Sequence, residues 1–406
     1  MTIALPPVAQ GLAPTATATS ISRVVIRNFK SIQGCDVRLG PMSLLVGPNG
    51  SGKSNFMDAL KLTKDALDTN LENALRERGG IEDVRRRSTG HPTHFGIRLD
   101  INLPSGRAEY AYEVAARSNF TFEVQREECR VFDDRGLRAS FANSKGQLTS
   151  IGSDLSNLRL ARDALALPIV GGLDDYRPVT DALSQMGFYS FNPDVVRDLQ
   201  NPDVGDLLLG DGRNLASVIR RLRATAPQDF ERVVEFLSTV VPGIRGIAAR
   251  QLGPRETIEF LQEVVGDQRP WKFLAGSVSD GTLRALSVLV ASFQSNVSLV
   301  GIEEPETAIH PGAAGRLMDA LLEASRKRQL LLTTHSPDLL DHPDIDVDSV
   351  IAVQSQRGTT LVGPVDRATR EAVQQNLYTV GELVRLEQVT PDVFGKTAAA
   401  KSVRLW

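Results

Sequence analysis

Cysteine is scarce in this sequence, with two in 406 residues. Two thiols are too few for a disulfide framework, and neither Cys35 nor Cys129 has neighbours at metal-ligand spacing. Both lie in strand-like sequence, where cysteine acts as a small apolar core residue. The sequence therefore argues against a disulfide-rich secreted scaffold and predicts two buried thiols.

Long apolar runs are absent as well. No stretch reaches the ~20 apolar residues that cross a bilayer. Residues 1–20 are rich in Ala, Pro and Thr, carry no charged side chain, and lack the basic and continuous apolar regions of a signal peptide. We predict a disordered N-terminal tail over residues 1–20 and a cytoplasmic protein with no membrane partner.

Neither sign of charge dominates. Lys and Arg number 46 against 49 Asp and Glu, which gives a formal net charge of −3. So small a net charge supplies no global attraction to nucleic acid, and any such binding must depend on local basic patches. A hydrophobic content of 41% and a length of 406 residues predict one large globular domain or two.

What the sequence does contain is a phosphate-binding loop. Residues 47–54 have the spacing G-x-x-x-x-G-K-S, after an apolar strand and before a helix. Glycines let backbone N–H groups converge on one anion, and the helix N-terminus adds its dipole. The spacing predicts that Lys53 reaches the β- and γ-phosphates and that Ser54 ligates Mg²⁺. The other loop residues predicted to bind nucleotide are Asn49, Gly50, Ser51 and Gly52.

The sequence around and after this loop predicts a mixed fold. Residues 22–30 alternate and indicate an edge strand, and alternating runs over 95–150 indicate an antiparallel meander. No sustained heptad pattern occurs before residue 270. Three helices and two strands are predicted beyond the meander, at residues 176–185, 214–224, 227–240, 244–250 and 257–264.

Candidate catalytic side chains follow two later strands. One apolar strand ends in the adjacent acids Glu303 and Glu304, and the next ends at His335. Because open α/β sheets bind ligands at the carboxyl edge, we expect these residues beside the phosphate loop. Ahead of them, Ser279 can cap an apolar helix, whose N-terminus with Gly281 is a second candidate anion site.

In this order the motifs resemble the ABC-type ATPase heads of the SMC, RecF and OLD families, and most closely the compact AAA family ATPases of that group. The resemblance covers nearly the whole chain after residue 20. It implies an α/β P-loop NTPase fold, an ABC-type ATPase head with an antiparallel β meander and an α+β insert. The motifs that carry it are an opening strand at 27–31, Walker A at 47–54, a signature at 278–282, Walker B at 299–304 and a switch histidine at 335.

The resemblance also implies roles. Glu303 would hold Mg²⁺, Glu304 would polarise the attacking water as general base, and His335 would contact the γ-phosphate. ATP and Mg²⁺ are the implied cofactors. Ser279 and Gly281 would cover the ATP bound by a second subunit, so an ATP-sandwiched homodimer with two sites is expected.

Other side chains near the motifs stay open or lack support. Glu306 is equally consistent with a structural ion pair and with catalysis, whereas His310 and Asp338 have little support for a direct role. Asp280 and Glu303 replace the glycine and aspartate usual in transporters, which fits the SMC-like side of the group. The C-terminal region lacks the strand and isolated Glu-Gly of the OLD nuclease domain, so we predict no intrinsic nuclease.

The motifs divide the chain into five predicted segments. These are a tail at 1–20, an N-lobe with Walker A at 21–94, a meander and insert acting as lid or docking subdomain at 95–270, a C-lobe with signature, Walker B and switch histidine at 271–365, and a C-terminal helical extension at 366–406.

Two functions remain open. The first is an ATP-hydrolysing switch acting on double-stranded DNA in repair or phage defence, through basic clusters at 85–87, 220–223 and 326–328. The alternative is an ATP-dependent module in which the insert docks a separately encoded effector protein such as a nuclease or toxin. Each basic cluster also has a plain interpretation as a solvated or helix-capping group.

Overall fold

The computed structural model describes residues 19–88, 92–153, 155, 158–392 and 403–406. The predicted tail lies outside the described residues up to residue 18, and the first strand already begins at Ser20. Strands in the described residues are β1 Ser20–Phe29, β2 Ile32–Arg38, β3 Met42–Val46, β4 His94–Leu103, β5 Gly106–Ala116, β6 Phe122–Asp133, β7 Gly136–Ser144, β8 Gln147–Ile151, β9 Met186–Tyr189, β10 Ile244–Leu252, β11 Arg255–Gln262, β12 Trp271–Leu274, β13 Leu299–Glu303, β14 Gln329–Thr334, β15 Val350–Gln356 and β16 Thr359–Pro364.

Helices flank these strands. In the same residues they are α1 Lys53–Asp68, α2 Leu71–Arg76, α3 Ile81–Val84, α4 Leu167–Val170, α5 Arg177–Ser184, α6 Pro193–Arg197, α7 Leu215–Thr225, α8 Pro227–Val240, α9 Asp280–Phe293, α10 Ala314–Ser325, α11 Pro337–Leu340, α12 Arg367–Gln374 and α13 Val380–Arg385. Among the described helices, none is both long and apolar enough to cross a membrane.

One large sheet organises the described chain, with strand order β8-β7-β6-β5-β4-β1-β2-β16-β15-β3-β14-β13-β9. Strands β15, β3, β14, β13 and β9 pair in parallel. All residues of β3 and β14 are buried, as expected for parallel strands covered on both faces. The carboxyl ends of β3, β13 and β14 therefore lie side by side at one edge.

The prediction that residues 22–30 form an edge strand is wrong. Strand β1 lies inside the sheet, with Ile26 opposite Cys35 of β2 on one side and Ile97 of β4 on the other. Alternation reports which face of a strand is buried and carries no information on whether both edges are paired. The burial of Cys35 and Cys129 is confirmed, and burial raises the pKa of the Cys35 thiol to about 12.

The predicted meander is confirmed as β4 to β8, which extends the main sheet. The predicted helices and strands beyond it correspond to α5, α7, α8, β10 and β11. Strand β9 is not predicted from the sequence. It pairs with β13 and forms the edge of the main sheet opposite to β8. Strands β10, β11 and β12 form a separate small sheet. Residues 95–270 thus contribute the meander at one end of the main sheet, strand β9 at its other edge, and two strands of the small sheet. The proposed segment boundaries stay a prediction.

Helix α9 is the most deeply buried helix near the site. Its sequence is apolar almost all round, and every residue from Ala285 to Phe293 is buried. It packs in one core cluster with Val300 and Ile302 of β13 and with Met318 and Leu321 of α10. Arg284 is the only cation on this helix.

Candidate active site

The phosphate loop joins β3 to α1 through left-handed glycines. Gly50 has φ +74° and Gly52 has φ +104°. A Cβ on Gly52 would lie 2.1 Å from Oγ1 of Thr360, and one on Gly47 would lie 2.0 Å from the Val353 carbonyl oxygen. On Gly50, by contrast, an added Cβ meets no atom of the described residues within 4 Å. The hairpin β15–β16 thus fills one side of the loop and leaves the other open for an anion.

Lys53 is folded back onto this loop. Its Nζ donates to the carbonyl oxygens of Gly47 at 2.7 Å and Pro48 at 3.1 Å, and the residue is 6% exposed. Burial lowers the pKa of Lys53. Nearby carboxylates oppose this by raising the pKa, and Glu304 contributes most among them. The buried Ser51 hydroxyl has no partner among the described residues. Phosphate oxygens could replace the two carbonyl partners of the Lys53 ammonium and accept a hydrogen bond from the Ser51 hydroxyl, so both side chains fit a phosphate ligand.

The acidic strand end lies where the motif predicts. Strand β13 pairs with β14 so that Glu303 is opposite Thr333. Glu304 then turns into the left-handed region at φ +44°, and its N–H donates to the Thr333 carbonyl at 3.0 Å. This register brings His335 alongside, with its Nδ1 3.1 Å from Oε1 of Glu304. Two residues predicted from separate strand ends are therefore in contact.

Glu306 follows on the same turn but has a hydroxyl partner. The Thr334 Oγ1 donates to its carboxylate at 2.5 Å, and its other oxygen is buried without a partner in the described residues. Burial raises the pKa of Glu306, and the neighbouring Glu304 adds to the effect. His310 accepts the N–H of Gly312 at 3.1 Å and so caps a turn.

The signature residues contact their own helix and the turn after β13. Oγ of Ser279 accepts the N–H of Thr282 at 3.3 Å, which confirms it as the cap of α9. A Cβ on Gly281 would lie 2.3 Å from the Ala308 carbonyl oxygen. Asp280 forms an ion pair with Arg197 of α6.

Sequence reasoning missed Arg284. Its guanidinium donates to the carbonyl oxygens of Phe191 at 3.0 Å, Glu303 at 3.2 Å and Glu304 at 3.1 Å. A single arginine inside an otherwise apolar helix was the available signal, because a buried charge requires specific partners.

A hydroxyl network behind the loop was also missed. Thr360 Oγ1 donates to the Ser51 carbonyl at 2.9 Å and lies 2.6 Å from Ser31 Oγ, which accepts from Asn55 at 2.6 Å. The side chain of Arg86 donates to the Ser31 carbonyl at 2.9 Å. These residues come from four separate segments, so no local pattern could indicate the network.

The basic clusters are largely paired within the chain. Arg85 and Arg87 form ion pairs with the α3 acids Glu82 and Asp83. In the other two clusters the partners are Arg220 with Glu256, Arg221 with Asp206, Arg223 over the Phe230 ring, and Lys327 and Arg328 with Asp229. Much of their charge is therefore neutralised by carboxylates of the same chain.

A family model covers most of the chain. Residues 42–341 match the family described as "AAA domain, putative AbiEii toxin, Type IV TA system". The match contains the phosphate loop, the acidic pair and His335. The chain belongs to this family.

Solved structures with a similar fold are SMC heads. An SMC head bound to the C-winged helix domain of ScpA aligns with a TM-score of 0.53 at 13% identity, over 87% of this chain and 99% of that one. An SMC head domain with an extended coiled coil, bound to the C-terminal domain of ScpA and derived from Pyrococcus furiosus, aligns with a TM-score of 0.52 at 10% identity, over 88% and 99%. At such identities the likeness shows the fold, which is the predicted P-loop head.

Two curated proteins resemble short stretches of this chain. The DNA replication and repair protein RecF of Vibrio vulnificus (strain YJ016) is 44% identical over 43 residues, 10% of this chain and 12% of RecF. The structural maintenance of chromosomes protein 1B of Mus musculus is 37% identical over 81 residues, 19% of this chain and 6% of that protein. The chain thus spans about an eighth or less of the length of these relatives. The family match and the SMC-head fold together support the resemblance to ABC-type SMC/RecF-like heads that the motifs predicted.

Proposed function

We propose that this protein binds and hydrolyses ATP with Mg²⁺ and acts as a nucleotide-gated switch that dimerises around two ATP molecules. The observation that carries the proposal is the contact between Glu304 and His335, at the sheet edge where the phosphate loop also ends. A carboxylate that can accept a proton from water, held by an imidazole beside a lysine that can bind phosphate, suits hydrolysis of a phosphoanhydride.

Nucleotide binding falls to the loop and Lys53. The loop N–H groups and the N-terminus of α1 would receive the phosphates, and the Lys53 ammonium would exchange its two carbonyl partners for phosphate oxygens. The residues available for Mg²⁺ are the exposed Ser54 hydroxyl and the Glu303 carboxylate. The described residues contain no group of three or more metal-binding side chains. Mg²⁺ is commonly held by one or two protein groups together with substrate phosphates. When bound, Mg²⁺ would neutralise charge on the triphosphate.

Glu304 and His335 would act on the attacking water. The Glu304 carboxylate would accept a proton from that water as general base. His335 would keep the carboxylate oriented through Nδ1 and present its other ring nitrogen to the γ-phosphate side. Both side chains are partly exposed, 33% for Glu304 and 42% for His335, so a nucleotide and a water can reach them.

The proposed dimer uses the exposed start of α9. Ser279 and Gly281 would meet the nucleotide bound by a second subunit, so that ATP favours association and hydrolysis reverses it. Light scattering of Glu304→Gln with ATP and Mg²⁺ tests this, with Lys53→Ala as the variant that cannot engage phosphate. We expect a dimer for the first variant and a monomer for the second. A monomer in both would refute the sandwich.

Two outputs of the switch are proposed, and each has its own support. Action on double-stranded DNA, in repair or phage defence, is supported by the similarity to RecF and SMC proteins. Control of a separately encoded effector protein such as a nuclease or toxin is supported by the pairing of the basic clusters, because paired arginines offer little free charge to phosphates.

Steady-state ATPase activity with and without linear duplex DNA separates the two outputs, with Glu304→Gln as the background. Stimulation by DNA that disappears steeply with added salt would support direct phosphate contacts. Activity indifferent to DNA at low salt would favour the effector, which would then be sought through residues 95–270. Activity no higher than that of Glu304→Gln would contradict the assignment of Glu304.

A further inference from the structure

Helix α9 touches the acidic strand end at two places. At its start, Gly281 lies so close to the Ala308 carbonyl that only glycine fits, since a Cβ would be 2.3 Å from that oxygen. About one turn later, Nη2 of Arg284 donates to the carbonyl oxygens of Glu303 and Glu304. The helix that carries the signature is thus fastened to the segment that carries the general base.

Arg284 also reaches a second strand end. Its Nη1 donates to the Phe191 carbonyl, just beyond β9. Because β9 and β13 are adjacent parallel strands, their ends open on the same edge. One planar guanidinium therefore holds three carbonyls from two strand ends, a task for which a forked donor suits better than a single ammonium group.

The Glu304 backbone has need of such support. Its φ of +44° lies in the left-handed region, which is unfavourable for a residue with a side chain. The N–H is held by the Thr333 carbonyl and the C=O by Arg284. These two bonds fix the peptide groups on both sides of the Glu304 Cα, and hence the direction in which its side chain leaves the backbone.

Arg284 is kept in place against a desolvation penalty. Burial lowers the pKa of its guanidinium, and the Glu306 carboxylate is the strongest opposing influence. Its Nε is buried with no partner among the described residues. Simple packing between α9 and the sheet would be achieved by an apolar residue without these costs.

We infer that Arg284 is a positioning residue that transmits engagement of the α9 N-terminus to Glu304. The inference rests on the proposed function, in which Ser279 and Gly281 of one subunit meet the nucleotide bound by the other. When the N-terminus of α9 binds that nucleotide, Arg284 moves with the helix. Its hydrogen bonds then fix the positions of the Glu303 and Glu304 carbonyl groups. Engagement at one site thereby orients the base at the other, and the two sites of the dimer act together.

The first test compares Arg284→Ala and Arg284→Lys with Arg316→Ala. Arg316 is the matched control, because its Nη1 also donates to a backbone carbonyl, that of Thr239 at 2.6 Å, on the remote helix α10. We expect Arg284→Ala to lower kcat on the order of 10–100-fold while KM for ATP stays near wild type. Arg284→Lys should recover part of the loss, and Arg316→Ala should match wild type. Wild-type kcat in Arg284→Ala would overturn the inference.

The second test is a mutant cycle of Ser279→Ala, Arg284→Ala and the double variant. If Ser279 acts on hydrolysis through Arg284, the kcat losses will not multiply, and the double variant will resemble the worse single variant. Fully multiplicative losses would contradict the relay. Thermal melting identifies any unfolded variant, and Arg284→Lys replaces Arg284→Ala in the cycle if the latter melts early.

Failure of the relay is distinguishable from failure of the proposed function. If wild type lacks ATPase activity, or Glu304→Gln stays monomeric with ATP, the proposed function is wrong. If wild type hydrolyses ATP, Glu304→Gln dimerises and the Ser279 and Arg284 losses multiply, only the relay is wrong.

Discussion

Nδ1 of His335 lies 3.1 Å from Oε1 of Glu304, although the two residues are 31 positions apart. The distance follows from the register of two parallel strands, since Glu303 pairs with Thr333 and the Glu304 N–H donates to the Thr333 carbonyl. The pair is thus fixed by buried backbone, and the exposed side chains only complete it. A rigid sheet edge is well suited to hold the proposed general base within ångströms of its target.

Replacing His335 by alanine should lower kcat by about 10²-fold or more, because Glu304 loses the partner that orients it. Nucleotide affinity should stay within a few-fold, since the phosphate loop is unchanged. His94→Ala, at the start of β4, serves as the matched histidine control and should retain wild-type kcat. Stopped-flow binding of a fluorescent ATP analogue and steady-state phosphate release measure the two quantities. A loss of binding equal to the loss of kcat would contradict the assigned role.

Gly281→Ala should impair hydrolysis and ATP-dependent dimerisation together. The new Cβ would lie 2.3 Å from the Ala308 carbonyl oxygen, so the α9 start or the turn after β13 must shift. Gly276→Ala is the control, because its added Cβ meets no described atom within 4 Å. ATPase assays of the two alanine variants report the first effect, and light scattering of the same substitutions combined with Glu304→Gln reports the second. Equal behaviour of the two alanine variants would show that the close approach is irrelevant.

The phosphate loop, the acidic pair and His335 could be predicted because each is a local signal. Motif spacing identifies Lys53 within a few residues, and a buried apolar run identifies the strand before Glu303. Chain order then places both strand ends at one edge. Strand β9 escaped prediction because Met186–Tyr189 is too short for a periodic pattern to be distinguished from a loop.

The rest of the site depends on pairs far apart in sequence. Thr360 supports the loop at Ser51 from 309 positions away, and Arg284 meets the Phe191 carbonyl from 93 positions away. Local patterns carry no information on such pairs. The arginine triplet at 85–87 differs, because its partners Glu82 and Asp83 lie only three and four positions away and were a local signal that the sequence offered.

Gly52→Ala should abolish nucleotide binding. Its φ of +104° is a conformation that residues with side chains rarely adopt, and the Cβ would lie 2.1 Å from Thr360 Oγ1. Gly50→Ala shares the positive φ but meets no described atom within 4 Å, so strain alone acts and binding should weaken only partly. Titration with a fluorescent ATP analogue ranks the variants. If Gly50→Ala were the worse of the two, support of the loop by β16 would not explain the requirement.

A buried carboxyl group remote from the site makes the stability of the protein depend on pH. Glu127 of β6 is fully buried, and its carboxylate accepts the N–H groups of Ala166 at 2.5 Å and Leu167 at 2.9 Å and the hydroxyl of Tyr110 at 2.9 Å. Burial nevertheless raises the pKa of Glu127 above its ordinary value. The folded protein therefore holds this proton to higher pH than the unfolded chain does. Stability from this group is complete below the unfolded pKa of about 4.3 and is lost as pH rises toward the raised folded pKa.

Glu127→Gln removes the titration but keeps the shape. At pH 5 the variant should be less stable by about 1–3 kcal/mol, because its amide cannot accept all three hydrogen bonds. The difference in free energy of unfolding between wild type and variant should narrow as pH rises, by at most about 1.4 kcal/mol per pH unit. Only the wild type loses stability through Glu127 as this carboxyl group ionises. Urea unfolding between pH 5 and 8 measures the gap, with Glu77→Gln on the surface as control. A gap that stays constant or widens with pH would mean that the hydrogen bonds outweigh burial and that Glu127 is ionised in the folded protein throughout.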